Sequence, residues 1–232
     1  MKKMKKPLAI AVVLCVAIAT SVLATWLSAI VEEDPPGIED VTSADPESPT
    51  GRTIDWDALP DTVIAWVEVP GTSIDEPVVQ ASEDSPNAYL HLDAMGQGAY
   101  GTPYIDCECS IDSRFVMVYG HHMSDGSAFA PFASYIDESF AREHDRIIVY
   151  KRSGEVLELE PVAVDVVNAS RETLVIDQEG DFKEIVDESD LILREPEDEG
   201  QLFAFTTCSY QTRNSRTIVF AQSETAAALR LK

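Results

Sequence analysis

The chain has 232 residues, 45% of them hydrophobic, with 17 basic against 41 acidic residues and a formal net charge of −24. That apolar share supports a packed core and argues against global disorder, and the length suits one domain of ordinary size with extensions. So acidic a surface repels phosphate backbones and makes nucleic acid a poor partner, and four cysteines are too sparse for a disulfide scaffold.

Residues 1–6, MKKMKK, carry four lysines and read as a basic tail inside the cell. Residues 7–31 contain no charge. A hydrocarbon core of about 30 Å needs roughly 20 apolar residues as helix, so this stretch predicts a single membrane span. Lysines before it and Glu32, Glu33 and Asp34 after it predict an inside N-terminus and the remaining chain outside the cell. The alternative is a cleaved signal peptide ending near Val22-Leu23-Ala24, although the apolar run exceeds the usual signal core of roughly 7–15 residues. Residues 32–53, rich in Pro, Ser, Thr and acids, read as a flexible stalk. One domain is expected over 54–232.

That domain opens with "DWDALPDTVIAW", where Trp56, Leu59, Val63 and Ile64 roughly follow a helical period and Asp55 suits a cap. Strand signals follow. "AWVEVPGT" alternates and stops at Pro70-Gly71, "EPVVQAS" is β-branched, and "GTPYID" and "RFVMVYGHH" read as strands, the second apolar enough to be buried on both faces. "NAYLHLD" suggests a helical turn. "SAFAPFASYIDESFAREH" reads as a helix with Phe129, Phe132, Tyr135, Ile136 and Phe140 on one side. "DRIIVYKRSGEVLELEPVAVDVVNA" predicts two or three strands, "DFKEIVDESDLIL" a short acidic helix, and "LFAFTTCSY" and "RTIVFAQ" closing strands. The expected fold is mainly β with added helices (α+β), a β-barrel with a helical N-terminal region and a helix inserted between late strands.

The chemistry centres on Cys208, where a strand runs out into the polar loop "SYQTRNS". A thiol attacks well only as its anion, which nearby cations favour. If the two last strands pair as a hairpin, Arg216 reaches the space beside Cys208 and suits stabilisation of an oxyanion. His121 and His122 follow the strand "RFVMVYG", where Gly120 permits a sharp exit and strand ends present catalytic groups. His91 and His144 read as solvated surface residues. Cys15 lies in the apolar run, and Cys107 and Cys109 form a C-x-C pair without a second half of metal-ligand spacing. No Gly-rich phosphate loop is present, and the acidic stretch 177–190 lacks an EF-hand pattern, so no cofactor or metal is expected.

Two stretches, "VYGHHMSDGSAFAPFASY" and "TTCSYQTRNSRTIVF", resemble the histidine and cysteine–arginine motifs of class B sortases, cysteine transpeptidases of Gram-positive surfaces. "VIAWVEVPGTSIDEPVVQ", "NAYLHLD" and "GTPYID" resemble earlier segments of that family, in order, over about Asp55 to Gln222. The resemblance implies a closed sortase-like barrel, Cys208 as nucleophile, His121 as general acid/base and Arg216, rather than Arg213, as the oxyanion or substrate-positioning cation. It also implies substrate contacts from Thr207, Tyr210 and Asn214. The implied reaction cleaves a C-terminal sorting motif of the LPXTG or NPXTG kind after Thr, through a thioacyl intermediate. The acyl group then passes to an amine of a cell-wall peptide or of another surface or pilin protein. Two departures stand out. Ala204 and Phe205 replace the family's Thr and Leu, and Glu76 replaces its usual aromatic before Pro77. Rival readings are a cysteine hydrolase, a non-enzymatic acidic binding domain, and a thiol–disulfide protein using Cys107, Cys109 and Cys208.

Overall fold

The computed structural model describes residues 41–46, 51–98, 100–170, 176–209 and 214–223. They divide into two compact units, Met1–Ala58 and Leu59–Lys232. In the first, β1 (Thr42–Ala44) and β2 (Arg52–Ile54) pair antiparallel, with Thr42 opposite Ile54. The Ser43 and Thr53 hydroxyls bond across the ribbon at 2.9 Å. Part of the segment read as a stalk is therefore a two-stranded ribbon.

The helix expected from Asp55 onward is absent. Trp56–Ala58 makes one 3-10 turn, and Val63 and Ile64 enter a strand instead. Pro60 explains this: its ring clashes with a helix interior and it has no N–H to donate, while the β-branched pair after it favours an extended chain.

The second unit is built on nine strands. They are β3 (Val63–Glu68), β4 (Asp75–Gln80), β5 (Tyr104–Ile105), β6 (Phe115–Gly120), β7 (Ile147–Lys151), β8 (Val156–Asn168), β9 (Leu191–Ile192), β10 (Leu202–Ser209) and β11 (Ser215–Ser223). Their order is β11-β10-β6-β5-β4-β3-β7-β8-β9, and β11 also pairs with β8, which closes the barrel and leaves β9 outside the ring. Closure removes the free edges of the other eight strands. The run 146–169 forms two strands, the second 13 residues long. Pro161 sits inside it, where the register with β11 shifts between Phe220 and Ala221. A bulge accommodates a residue that cannot donate to the ladder.

β6 and β10 run parallel at the centre, Leu202 facing Phe115 through Thr207 facing Gly120. Phe115 to Val118 are all buried, as are Leu202 to Thr207, as expected of strands covered on both faces. Against them packs an aromatic cluster. The Phe132 and Phe205 rings stack at 5.1 Å, and Phe129 meets Phe132 edge-on at 5.0 Å. Offset and edge-on pairs of this kind add stability beyond the area they bury.

The single helix expected over residues 127–144 is two elements. A 3-10 helix spans Ala130–Ile136 and an α-helix spans Glu138–Glu143. Asp137 breaks them: it is extended, and its carboxylate caps the second helix by accepting from the Ser139 and Phe140 N–H groups. "NAYLHLD" supplies one 3-10 turn, Ala88–Leu90, and "DFKEIVDESDLIL" gives the helix Phe182–Val186 before β9.

Two further expectations need correction. Among the described residues no helix is long and apolar enough to cross a membrane, so the expected localisation as a single-pass membrane protein is not supported. The apolar stretch 7–31 that prompted it lies outside the described residues, as does Cys15. His144 is not solvated: its ring lies 4.3 Å from that of Phe140, and its Nδ1 is buried. It closes a helix whose apolar face turns the ring inward.

Candidate active site

The last two long strands make the hairpin that the spacing predicts. β10 and β11 pair antiparallel, and Cys208 lies directly opposite Arg216. Residues facing each other in this way carry their Cβ atoms about 5 Å apart on one face of the sheet. The turn between them ends at Asn214, whose φ of +62° is left-handed, a conformation asparagine tolerates better than most residues. Its amide donates to Ser170 Oγ at 2.6 Å.

On the other side of β10, the parallel ladder sets Thr207 against Gly120, the last residue of β6. His121 and Cys208 are each the next residue along their strands. Gly120 is required by packing: a Cβ there would lie 2.3 Å from the Phe129 ring. The ladder thus ends with His121 and Cys208 leaving neighbouring strands, whose backbones are about 4.8 Å apart.

Cys208, His121 and Arg216 line one cavity of about 290 Å³, together with Leu90, Tyr104, Asp106, Tyr119 and Thr207. Cys208 is partly exposed there. His121 Nε2 lies 2.9 Å from the Leu90 carbonyl oxygen. A carbonyl only accepts, so Nε2 carries the proton, and Nδ1 is the basic nitrogen of the neutral ring. The chain approaches closely at Gly101, where φ is +78° and a Cβ would stand 2.7 Å from His121 Nε2 and 2.8 Å from the Leu90 oxygen. Only glycine fits both the angle and the space. Arg216 has long contacts to Asn214 Oδ1, 3.5 Å, and to the Ser215 carbonyl, 3.4 Å. Such weak contacts leave its donors able to turn toward a ligand.

The wall opposite is phenolic. Burial, then the Asp106 carboxylate, pushes the Tyr104 hydroxyl up to about 12, with Arg216 opposing. The same causes push Tyr119 higher still. Both phenols are therefore protonated hydrogen-bond donors at neutral pH. His122 sits outside the cavity lining but touches the backbone of Cys208. Its Nδ1 donates to the Cys208 carbonyl oxygen at 2.8 Å, which holds the end of β10 against the loop after β6.

Of the residues singled out in the sequence, Cys208, His121, Arg216 and Thr207 come together. The Thr207 hydroxyl is buried without a hydrogen-bond partner among the described residues. Asn214 is in the hairpin turn rather than the cavity lining, and Tyr210 and Arg213 lie outside the described residues. Gly101, Tyr104, Asp106 and Tyr119 were missed; only the register of strands distant in sequence places them here. Cys107, Cys109 and Cys208 are free thiols. Burial pushes Cys109 up to about 11, a neutral core thiol that accepts the Met117 N–H at 3.4 Å. Among the described residues no group of three or more His, Cys, Asp or Glu side chains could hold a metal ion. Chemically the cavity offers a nucleophile, a base and a fixed cation around one point, the set needed for acyl transfer.

Comparison with known proteins agrees with this geometry. The Sortase domain family matches residues 67–224. Sortase B of Listeria monocytogenes is 29% identical over 86 residues, 35% of this chain and 34% of that protein. The chain thus aligns with about a third of the length of that curated relative. The crystal structure of Clostridium perfringens sortase B is 25% identical, with a TM-score of 0.60 over 71% of this chain and 94% of that one. A Staphylococcus aureus sortase B–substrate complex is 20% identical, with a TM-score of 0.63 over 73% of this chain and 83% of that one. The family match covers most of the chain and spans every strand from β4 to β11, and the chain belongs to the sortase family, with the fold of its class B members.

Proposed function

We propose that the protein joins a C-terminal sorting motif, cleaved after its threonine, to a primary amine. The placement of Cys208, His121 and Arg216 on one cavity supports this reading above all else. The Cys208 sulfur attacks the threonine carbonyl. Arg216, opposite it in the hairpin, offsets the charge that develops on the carbonyl oxygen. His121, holding the proton taken from the Cys208 thiol, gives it to the leaving amine, and a thioacyl enzyme remains. An incoming amine then displaces the sulfur while His121 takes its proton back. Tyr104 supplies a hydrogen-bond donor along the peptide, while Tyr119 gives its proton to the Asp106 carboxylate in a hydrogen bond. The natural donors in this reading are surface proteins with an LPXTG- or NPXTG-like signal, and the acceptor is an amine of a wall peptide or a pilin.

The test is incubation of the protein with a library of sorting-signal peptides and an amine acceptor, read by mass. An amide-exchanged product, lost in Cys208→Ala, is expected. A folded protein that exchanges no peptide in the library would overturn the reading.

A further inference from the structure

A second cavity, of about 490 Å³, also has His121 in its lining. It shares His121 and Thr102 with the first and does not include Cys208. Its wall is set by Glu76 of β4, by Gly101 and Thr102, and by Asp125 and Ala128 of the loop after His121, with Tyr100, 76% exposed, among its lining. A ligand in the second cavity therefore has the His121 imidazole in its wall without touching Cys208.

The chemistry of this wall is anionic. Glu76 is mostly withdrawn from solvent and accepts the Ala128 N–H, and Asp125 accepts from the Ser127 N–H and hydroxyl at 3.0 and 2.6 Å. Glu76 is also where the sequence departs from the family pattern, with a carboxylate in place of an aromatic. Its position is fixed rather than incidental: β4 pairs with β3 through Val67 opposite Glu76, and the adjacent Pro77 carbonyl accepts from Thr102 Oγ1. A carboxylate that lines the same cavity as a base is suited to a ligand that bears a positive charge and must lose protons to react. A primary ammonium has both properties.

We propose that this second cavity is the acceptor subsite, in which Glu76 binds the ammonium of the incoming amine and delivers it to His121. The inference rests on the transpeptidase reading and names the residue that selects its second substrate. The Glu76 carboxylate first takes one proton from the ammonium. The free amine nitrogen then forms a bond to the thioacyl carbon as the carbon–sulfur bond breaks. The electron pair leaves on the Cys208 sulfur, and the second amine proton passes to His121. Charge is conserved throughout: a carboxylate and an ammonium are consumed, and a thiolate and an imidazolium appear. Burial and the neighbouring Asp75 charge raise Glu76 to about 7, which fits a group that binds as an anion and can also hold a proton.

The experiment has two arms. In the first, the full chain carrying Cys208→Ala is titrated with triglycine and with N-acetyl-triglycine, followed by NMR. Triglycine is expected to perturb the His121 imidazole signals. Acetylation, or a further Glu76→Gln change, should weaken binding by about tenfold or more. In the second arm, thioacyl enzyme with Cys208 intact partitions between water, triglycine and hydroxylamine, which is uncharged at neutral pH. Glu76→Gln should lower capture by triglycine relative to hydroxylamine by about tenfold. That ratio is insensitive to a general loss of folded protein. Equal binding of both tripeptides, no binding of either, or an unchanged capture ratio overturns the inference. If triglycine binds through Glu76 yet no sorting peptide is cleaved, the transpeptidase reading falls and the amine site remains. If peptides are cleaved and Glu76→Gln changes nothing, the reverse holds.

Discussion

Gly101→Ala is the sharpest probe of how the imidazole is held. The substitution does two things that can be separated. It places an L-residue at φ +78°, which costs roughly 1–2 kcal/mol in backbone strain. It also puts a Cβ 2.7 Å from His121 Nε2 and 2.8 Å from the Leu90 oxygen, where ordinary contact begins at 3.4 Å. The carbonyl belongs to the backbone, so the ring must yield by more than half an ångström and abandon its 2.9 Å bond to Leu90. A misplacement on the order of 1 Å at a reacting group costs about 10²-fold in rate. Gly154→Ala is the control: φ is +92° with nothing within 4 Å of the added Cβ. Both variants carry the backbone strain, and Gly101→Ala should lose more stability in urea titrations because the Leu90 carbonyl is backbone and cannot swing aside. Only Gly101→Ala should lose about 10²-fold in kcat/KM for the proposed exchange, with the His121 ring signals shifted. If the two variants retain activity within threefold of each other, the Leu90 contact does not set the working position of the ring.

Other outcomes follow from the same geometry. Arg216→Ala should lower kcat by about 10²–10³ with a smaller change in KM, because a cation opposite the nucleophile acts on charge that exists only during attack; an effect confined to KM would reassign it to ground-state binding. Glu76 gives a pH signature in stability. Its folded value of about 7 stands above the ordinary 4.5, so the folded state binds the proton more tightly. That contribution is fully present below pH 4.5 and is lost as pH rises through 7, amounting to about 3 kcal/mol. Urea titrations at pH 4 and pH 8 should show a steeper fall for the wild type than for Glu76→Gln, and parallel falls would place the carboxyl in solvent.

The parts of this fold legible in the sequence were those with local signals. The run before Gly120 is apolar throughout and is buried on both faces. Two β-prone runs around a polar loop place Cys208 and Arg216 opposite each other. Helix boundaries were less legible. Trp56, Leu59, Val63 and Ile64 satisfied a helical period by coincidence, and Pro60 should have outweighed it. Asp137 divides one amphipathic stretch into two because its side chain satisfies backbone donors better as a cap than as a helix interior. What no local rule supplies is pairing at a distance. The parallel ladders β6–β10 and β4–β5 decide that Tyr104, Asp106 and Tyr119 share a wall. Glu76 was visible only as an exception to a pattern, and its meaning came from what surrounds it.

The parallel alignment of β10 on β6 also carries a kinetic consequence. His122 and Cys208 are joined by a hydrogen bond between residues 86 apart. Contacts of such long separation form slowly, because a large loop must be ordered before they return any free energy. The Cys208 sulfur therefore meets its histidine neighbours only once β10 has docked on β6. A polypeptide that has formed only its local hairpins holds Cys208 apart from His121 and His122.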